Sequence, residues 1–246
     1  MSSATLSILK LDAKGVTRDN VMLMNIVLSA LVAIGITVVG IFKSGTNWAD
    51  WFPFMVILSL MTGPPAYGFL FGLLMVDERD TGVRSVLSVT PVPATRLLMI
   101  RMITAVLLMI AWPLFTFYLM NSTWQAIEIA PQHIIALVLM LSLGAPLTAL
   151  AVATYSQNKV EAMALFKGIN FLVLGAMALY FIPGDAAYRT LFLILPWAWG
   201  VMAWDALIAG DIGAAYRWMA GGSLYLSLLL VWIVRTFITS IYKTDA

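Results

Sequence analysis

Four charged residues in succession, Asp77-Glu78-Arg79-Asp80, are the densest cluster of chemically capable side chains in a chain with only 14 basic and 12 acidic residues in 246. Elsewhere, Lys167 and Asp205 sit in apolar surroundings, and His133 stands two residues after Pro131. Ionisable groups in apolar segments are suspects for ion paths or proton relays, but these are too few and too scattered to build a relay. The chain has no cysteine and one histidine, which excludes disulfides, thiolate zinc and iron–sulfur sites and a histidine metal cage. It carries no G-x-x-x-x-G-K-[ST] loop to cradle phosphates, no G-x-S-x-G, no H-E-x-x-H and no inward carboxylate pair. No catalytic, cofactor or metal site is expected. A net charge of only +2, spread between hydrophobic runs, gives no basic face for nucleic acid.

What must position these residues is set by composition. The chain is 62% hydrophobic and 11% charged, with a mean hydropathy of +0.95. Soluble domains are usually about 45–50% apolar and about 25% charged, so the excess apolar surface here must face lipid. A crossing needs about 20 apolar residues. Spans are expected at 21–42, 54–76, 103–120, 134–154, 164–182 and 218–238. The first run is too long, and lacks the small-residue cleavage pattern, for a signal peptide. A further apolar stretch, 191–209, contains Pro196, three tryptophans and Asp205. Tryptophan favours the membrane interface, so this stretch is read as a re-entrant or interfacial segment; a seventh span is the other reading. The expected fold is an all-α, polytopic membrane bundle of six helices forming one domain over 1–246.

Orientation follows from lysine and arginine. A cytoplasmic N-terminus leaves eleven of the fourteen inside and only Lys43, Arg189 and Arg217 outside, as the positive-inside rule favours. Both termini then lie in the cytoplasm. Residues 1–19 read as an interfacial helix, with Leu6, Leu9, Ala13 and Val16 on one stripe and Lys10, Lys14 and Arg18 on another, near anionic lipid. Helix breakers interrupt several spans: Pro64 and Pro65, Pro113, then Gly144 and Pro146. They are either ordinary kinks or bends shaping a path. Pro64, Pro65, Phe115, Tyr118, Lys167 and Asp205 are therefore the expected gate or cavity residues. For Lys167 the alternatives are snorkelling to the surface and pairing with Glu161. Asp205 is placed at the outer interface.

After the four charges the sequence runs Thr81-Gly82-Val83-Arg84-Ser85-Val86-Leu87-Ser88-Val89-Thr90-Pro91. Thr81 can cap the start of a short helix and Pro91 ends it. Val83, Val86 and Leu87 fall on one face at i, i+3, i+4. A short amphipathic helix between two spans has little lipid to cover, and a groove on another protein suits it. The competing reading is a solvated charge cluster ending a span.

The run Glu78-Arg79-Asp80-Thr81-Gly82 with Leu87 and Thr90-Pro91 resembles the signature of ABC-2-type transporter permeases, and lies between spans two and three as in that family. Weaker matches are Asn158-Lys159-Val160-Glu161 and Leu195-Pro196-Trp197. Val83 stands where the family often has threonine, and Ser85 where an acid is frequent. The resemblance implies that 78–92 is a coupling helix docking on a separate ATP-binding subunit through Glu78, Arg79, Asp80, Gly82, Val83, Val86, Leu87 and Pro91. It implies that 1–19 is an elbow helix. It further implies a subunit of a bacterial exporter in the cytoplasmic (inner) membrane, working with a second permease chain and two ATP-binding subunits that hold ATP and magnesium. Small hydrophobic or amphipathic drug-like cargo would move by alternating access. An ion-coupled secondary transporter and a non-transporting scaffold or sensor are the rival classes.

Overall fold

A helix rising about 1.5 Å per residue crosses a hydrocarbon layer of about 30 Å in about 20 residues. Six helical stretches meet that demand: Asn20–Phe42, Phe52–Asp80, Arg96–Trp124, Pro131–Tyr155, Lys159–Phe181 and Ile212–Thr239. They belong to a computed structural model that describes residues 3–42, 50–81, 94–125, 127–184 and 186–244, among which there is no strand. The α-helices are α1 (Ser3–Arg18), α2 (Asn20–Phe42), α3 (Phe52–Asp80), α4 (Ala94–Trp124), α5 (Pro131–Ser142), α6 (Gly144–Tyr155), α7 (Lys159–Met177), α8 (Ala198–Ile208) and α9 (Ile212–Thr244). Short 3₁₀ segments, Ala178–Phe181 and Ala187–Ile194, join α7 to α8. The six expected spans are all present, several extended by a turn or more beyond their apolar windows. Polar ends such as Asp77 to Asp80 continue the helix past the apolar core.

The spans divide into a centre and a perimeter. Two-thirds of the most apolar window is buried in both α3 and the α5–α6 pair, but only about a fifth in α2, α4 and α9. The centre forms because glycine lets two backbones touch. Gly68 and Gly72, four residues apart on α3, face Ala145, Thr148, Ala149 and Val152 of α6. A Cβ on Gly72 would lie 2.8 Å from Val152 Cβ and 2.9 Å from the Ala149 carbonyl oxygen, and one on Gly68 would be closer still to Ala145 and Thr148. Lipid tails are as apolar as leucine, so helices in a bilayer associate by such close packing of small residues.

Proline breaks the fourth span. Pro146 has no N–H to offer the Ser142 carbonyl, and the helix divides at Leu143 into α5 and α6. Pro64 and Pro65, by contrast, are buried inside an unbroken α3. A Cβ on Gly144 would stand 2.9 Å from Pro64 and 3.3 Å from Trp197 Nε1, so the breakers of two spans meet at one level of the bundle.

The segment around 191–209 turns back on itself. Arg189 and Asp205 pair at the end where α3 begins, and Trp204 Nε1 donates to the Pro53 carbonyl there (3.0 Å). Between them, Leu195 reaches the level of Gly175 and Trp197 that of Gly144. At 1.5 Å per residue the eleven residues of α8 span only about 17 Å, too short to cross. Gly210, at φ +77°, then turns the chain into α9, a conformation that glycine alone adopts without strain.

The glycine contact generates a prediction. Gly72→Leu would overpack the α3–α6 seam and destabilise the fold by about 1–3 kcal/mol, read as a lower melting temperature in detergent. Gly35→Leu, facing open space on α2, should leave it unchanged.

Candidate functional site

Five elements converge where α3 ends: α1, the α1–α2 junction, α3, the start of α4 and the α6–α7 turn. Charged side chains fasten them. Arg101 of α4 spreads its guanidinium between two carboxylates. Nε and Nη2 donate to Asp12 of α1 (3.0 and 2.6 Å), and Nη1 and Nη2 donate to Glu78 of α3 (2.7 and 2.6 Å). The Arg101 side chain is 3% exposed, Asp12 7% and Glu78 20%. Burying a guanidinium is tolerable only when its forked donors are matched by acceptors, and here two acids supply them.

A second cluster lies beside it. Lys159 Nζ, at the start of α7, contacts Asp19 (3.0 Å) and Asp77 (2.8 Å). Burial alone would raise the Asp19 carboxyl. Hydrogen bonds from Lys159 and from the Met22 and Val21 amides more than offset this and hold it below the ordinary aspartate value. Asn158 caps α7 by accepting from the amides of Val160 and Glu161 (3.0 Å each). Glu161 reaches back to the Gln157 amide (2.7 Å) and the Asn158 side chain (3.1 Å). The Asn-Lys-Val-Glu run is thus a capping arrangement that aims Lys159 at the acids.

Arg79 closes the group. Its guanidinium donates to the carbonyls of Ala153 and Ser156, groups that the end of α6 leaves without helical partners. Thr81 Oγ1 donates to the Asp77 carbonyl (2.7 Å). Thr81 thus closes the C-terminal end of α3, which runs on to Asp80 because its charged last turn finds partners; the short helix expected to start after Thr81 lies outside the described residues.

The expected contact residues divide accordingly. Glu78 and Arg79 spend their charges inside the chain, and Asp80 is exposed. Gly82, Val83, Val86, Leu87 and Pro91 lie outside the described residues. Lys10, Lys14 and Arg18 form an exposed stripe on α1, while Asp12 and Val16 turn inward. Ala13, expected with the apolar stripe, is exposed, because Asp12 is drawn to Arg101 and sets the rotation of the helix.

Of the expected gate residues, Pro64 and Pro65 are central. Phe115 and Tyr118 are 58% and 45% exposed on the outer face of α4. The inward face of α4 is Ala105, Met109, Phe117, Met120 and Trp124, and the helical period puts 115 and 118 opposite it. Lys167 is exposed on α7, and Glu161 is occupied by its cap rather than by Lys167. Asp205 pairs with Arg189 at the far end. His133 contacts the Tyr216 hydroxyl (3.1 Å). Among the described residues no group of three metal-ligating side chains occurs.

Sequence reasoning missed Asp12, Asp19 and the joint role of Arg101 and Lys159. The available signal was an aspartate in an otherwise basic first helix, one turn from Val16 on the same face.

Six helices long and apolar enough to cross a membrane, with ion pairs gathered at their ends, define a multi-pass membrane protein. Residues 12–234 match the profile described as "Fluoroquinolones export permease protein Rv2686c-like", and the chain belongs to that family. It is similar to the Fluoroquinolones export permease protein Rv2686c of Mycobacterium tuberculosis (strain ATCC 25618 / H37Rv) and to its counterpart MT2760 of strain CDC 1551 / Oshkosh. Each is 24% identical over 232 residues, covering 91% of this chain and 89% of the relative. Membership agrees with the ABC-2-type resemblance of the 78–91 signature. No solved structure matches the chain.

Two outcomes follow. Arg101→Gln leaves two acids around an uncharged amide, and loss of one partner of a buried ionic group costs about 3–5 kcal/mol. Folded yield and melting temperature in detergent should fall sharply, and Arg101→Lys, lacking the fork, should restore only part. The lowered Asp19 contributes stability that is present above its unfolded value of 3.8 and is lost as pH falls through its lower folded value. The melting-temperature gap between wild type and Asp19→Asn should therefore be open at pH 6 and close in acid.

Proposed function

We propose that this chain is the membrane-spanning subunit of an ATP-driven exporter that moves a small amphipathic, drug-like solute across the bacterial cytoplasmic membrane. Fluoroquinolones, named for its relatives, are the favoured cargo. Two permease chains pair with two ATP-binding subunits, which hold the ATP and magnesium. The end bearing the Arg101 cluster faces the cytoplasm, as does each terminus.

One observation carries the reading. Glu78 before the 82–93 stretch and Arg101 after it are hydrogen-bonded to one another. The two feet of the connecting stretch are thus tied together and to α1. A push on residues 82–91 from a docked ATPase would move the end of α3 and the start of α4 as one body. Closing of the ATP-binding pair would favour the outward-open arrangement, and ATP shifts the balance only by binding one state better than the other. The Val83, Val86 and Leu87 stripe supplies the apolar contact. Asp80 supplies an exposed charge at its edge. The breakers Pro64 and Gly144, which meet beside Trp197, give the centre a level at which the bundle can bend.

Co-purification with the ATP-binding subunit tests this. Val86→Asp or Leu87→Asp should reduce association at least tenfold while melting temperature and gel-filtration profile stay those of wild type. Unchanged association and drug export in either variant would contradict docking through this stripe.

A further inference from the structure

At the end opposite the Arg101 cluster, a cleft of about 440 Å³ lies between Tyr180, Ile182, Arg189, Asp205 and Ile208. Tyr180 packs against Phe54 at the start of α3 (ring centroids 5.1 Å apart), which fixes the cleft at that end. Small-molecule sites commonly occupy about 300–1,000 Å³, with apolar and aromatic walls and a few polar groups. Among the described residues the walls are Tyr180, Ile182 and Ile208, and the charged groups are Arg189 and Asp205.

Arg189 is only 7% exposed. It donates through Nη2 to Asp205, yet its buried Nε has no hydrogen-bond partner among the described residues. A guanidinium presents five donors in a fork suited to bidentate carboxylates, so a single point of contact leaves it under-used. At Gly184 a Cβ would come within 3.4 Å of Nη1, so the glycine adds no side chain of its own on that flank of the guanidinium. Asp205 is partly exposed, at 29%. The pair is therefore a buried cation with spare donors beside a more accessible carboxylate, in a cleft with an aromatic wall.

We propose that this cleft binds an aromatic zwitterion, its carboxylate on Arg189 and its ammonium on Asp205. Such a ligand exchanges the internal ion pair for two external ones, so no charge is left unpaired when it enters or leaves. The flat ring lies against Tyr180 and the isoleucines. A neutral arene gains only the walls, and a simple carboxylate must displace Asp205 without giving it a partner. The cleft therefore selects for both charges together. The inference deepens the transport reading, which supplies the natural ligand, but binding can be read on the chain by itself.

The probes are norfloxacin, which has one carboxylate and one protonated amine on a fused aromatic frame, and 2-naphthoate, which has the carboxylate alone. Each is titrated against purified full-length chain in phospholipid nanodiscs without ATP or an ATP-binding subunit. Wild type should bind norfloxacin at least tenfold more tightly than 2-naphthoate. Asp205→Asn should tighten 2-naphthoate at least threefold and weaken norfloxacin at least threefold, opposite signs that a general loss of structure cannot produce. Arg189→Gln should weaken both tenfold or more; if that variant does not fold, Asp205→Asn decides. The site is overturned if neither probe binds wild type, if Asp205→Asn moves both probes in the same direction, or if a folded Arg189→Gln binds both as wild type does. ATPase association of the Leu87 variants is read separately, so failure of the cleft and failure of the transport reading are distinguishable.

Discussion

Contact between α3 and α6 at Gly68 and Gly72 is the constraint from which the rest of the bundle is built. Without side chains at those positions the two backbones meet, and α3 becomes the central post against which α2, α4 and α7 are placed. The contact also fixes the height of α3 relative to α6. That height brings Arg79 to the open carbonyls of Ala153 and Ser156 and Glu78 to Arg101. A shift of one helical turn along α3, about 5.4 Å, would break both sets of bonds at once. Packing in the apolar middle and pairing at the charged end therefore specify the same register.

The charged end ties distant elements together. Arg101 is too deeply buried to lose either acid cheaply, and Lys159 draws Asp19 and Asp77 together across the α1–α2 and α6–α7 turns. These links join α3 and α4 to α1 and α7, elements far apart in sequence. The perimeter is different in kind. Helices α2, α4 and α9 expose rows of large apolar side chains such as Leu31, Leu107 and Leu228, which suit lipid or a second permease chain.

Much of this was legible in the sequence. Six long apolar runs, a basic and apolar striped first segment and breakers at Pro146 and Gly144 each act locally, and local rules identify them. The family signature at 78–91 was equally readable. The ion clusters were not, because a pair such as Asp12 and Arg101 lies 89 positions apart and nothing local says that they meet. Counting Arg101 and Lys159 only as positive charges for orientation hid their partners. Phe115 and Tyr118 illustrate the same gap. A cluster of aromatics in a span does not reveal which face is inward until Met109, Phe117 and Met120 are seen to define it. Gly68 and Gly72 were readable in principle, since small residues four apart in an apolar helix mark a packing face.

Docking of an ATP-binding subunit requires the stretch after Asp80 to be presented to the cytoplasm, where that subunit can cover it. Because the chain contains no cysteine, Ser88→Cys introduces a single thiol there, and its reaction with a membrane-impermeant maleimide can be followed in intact cells and in inverted vesicles. Labelling in inverted vesicles only, and suppressed when the ATP-binding subunit is added, is the predicted result. Labelling from the outer face of intact cells, or labelling in inverted vesicles that the ATP-binding subunit does not diminish, would contradict it.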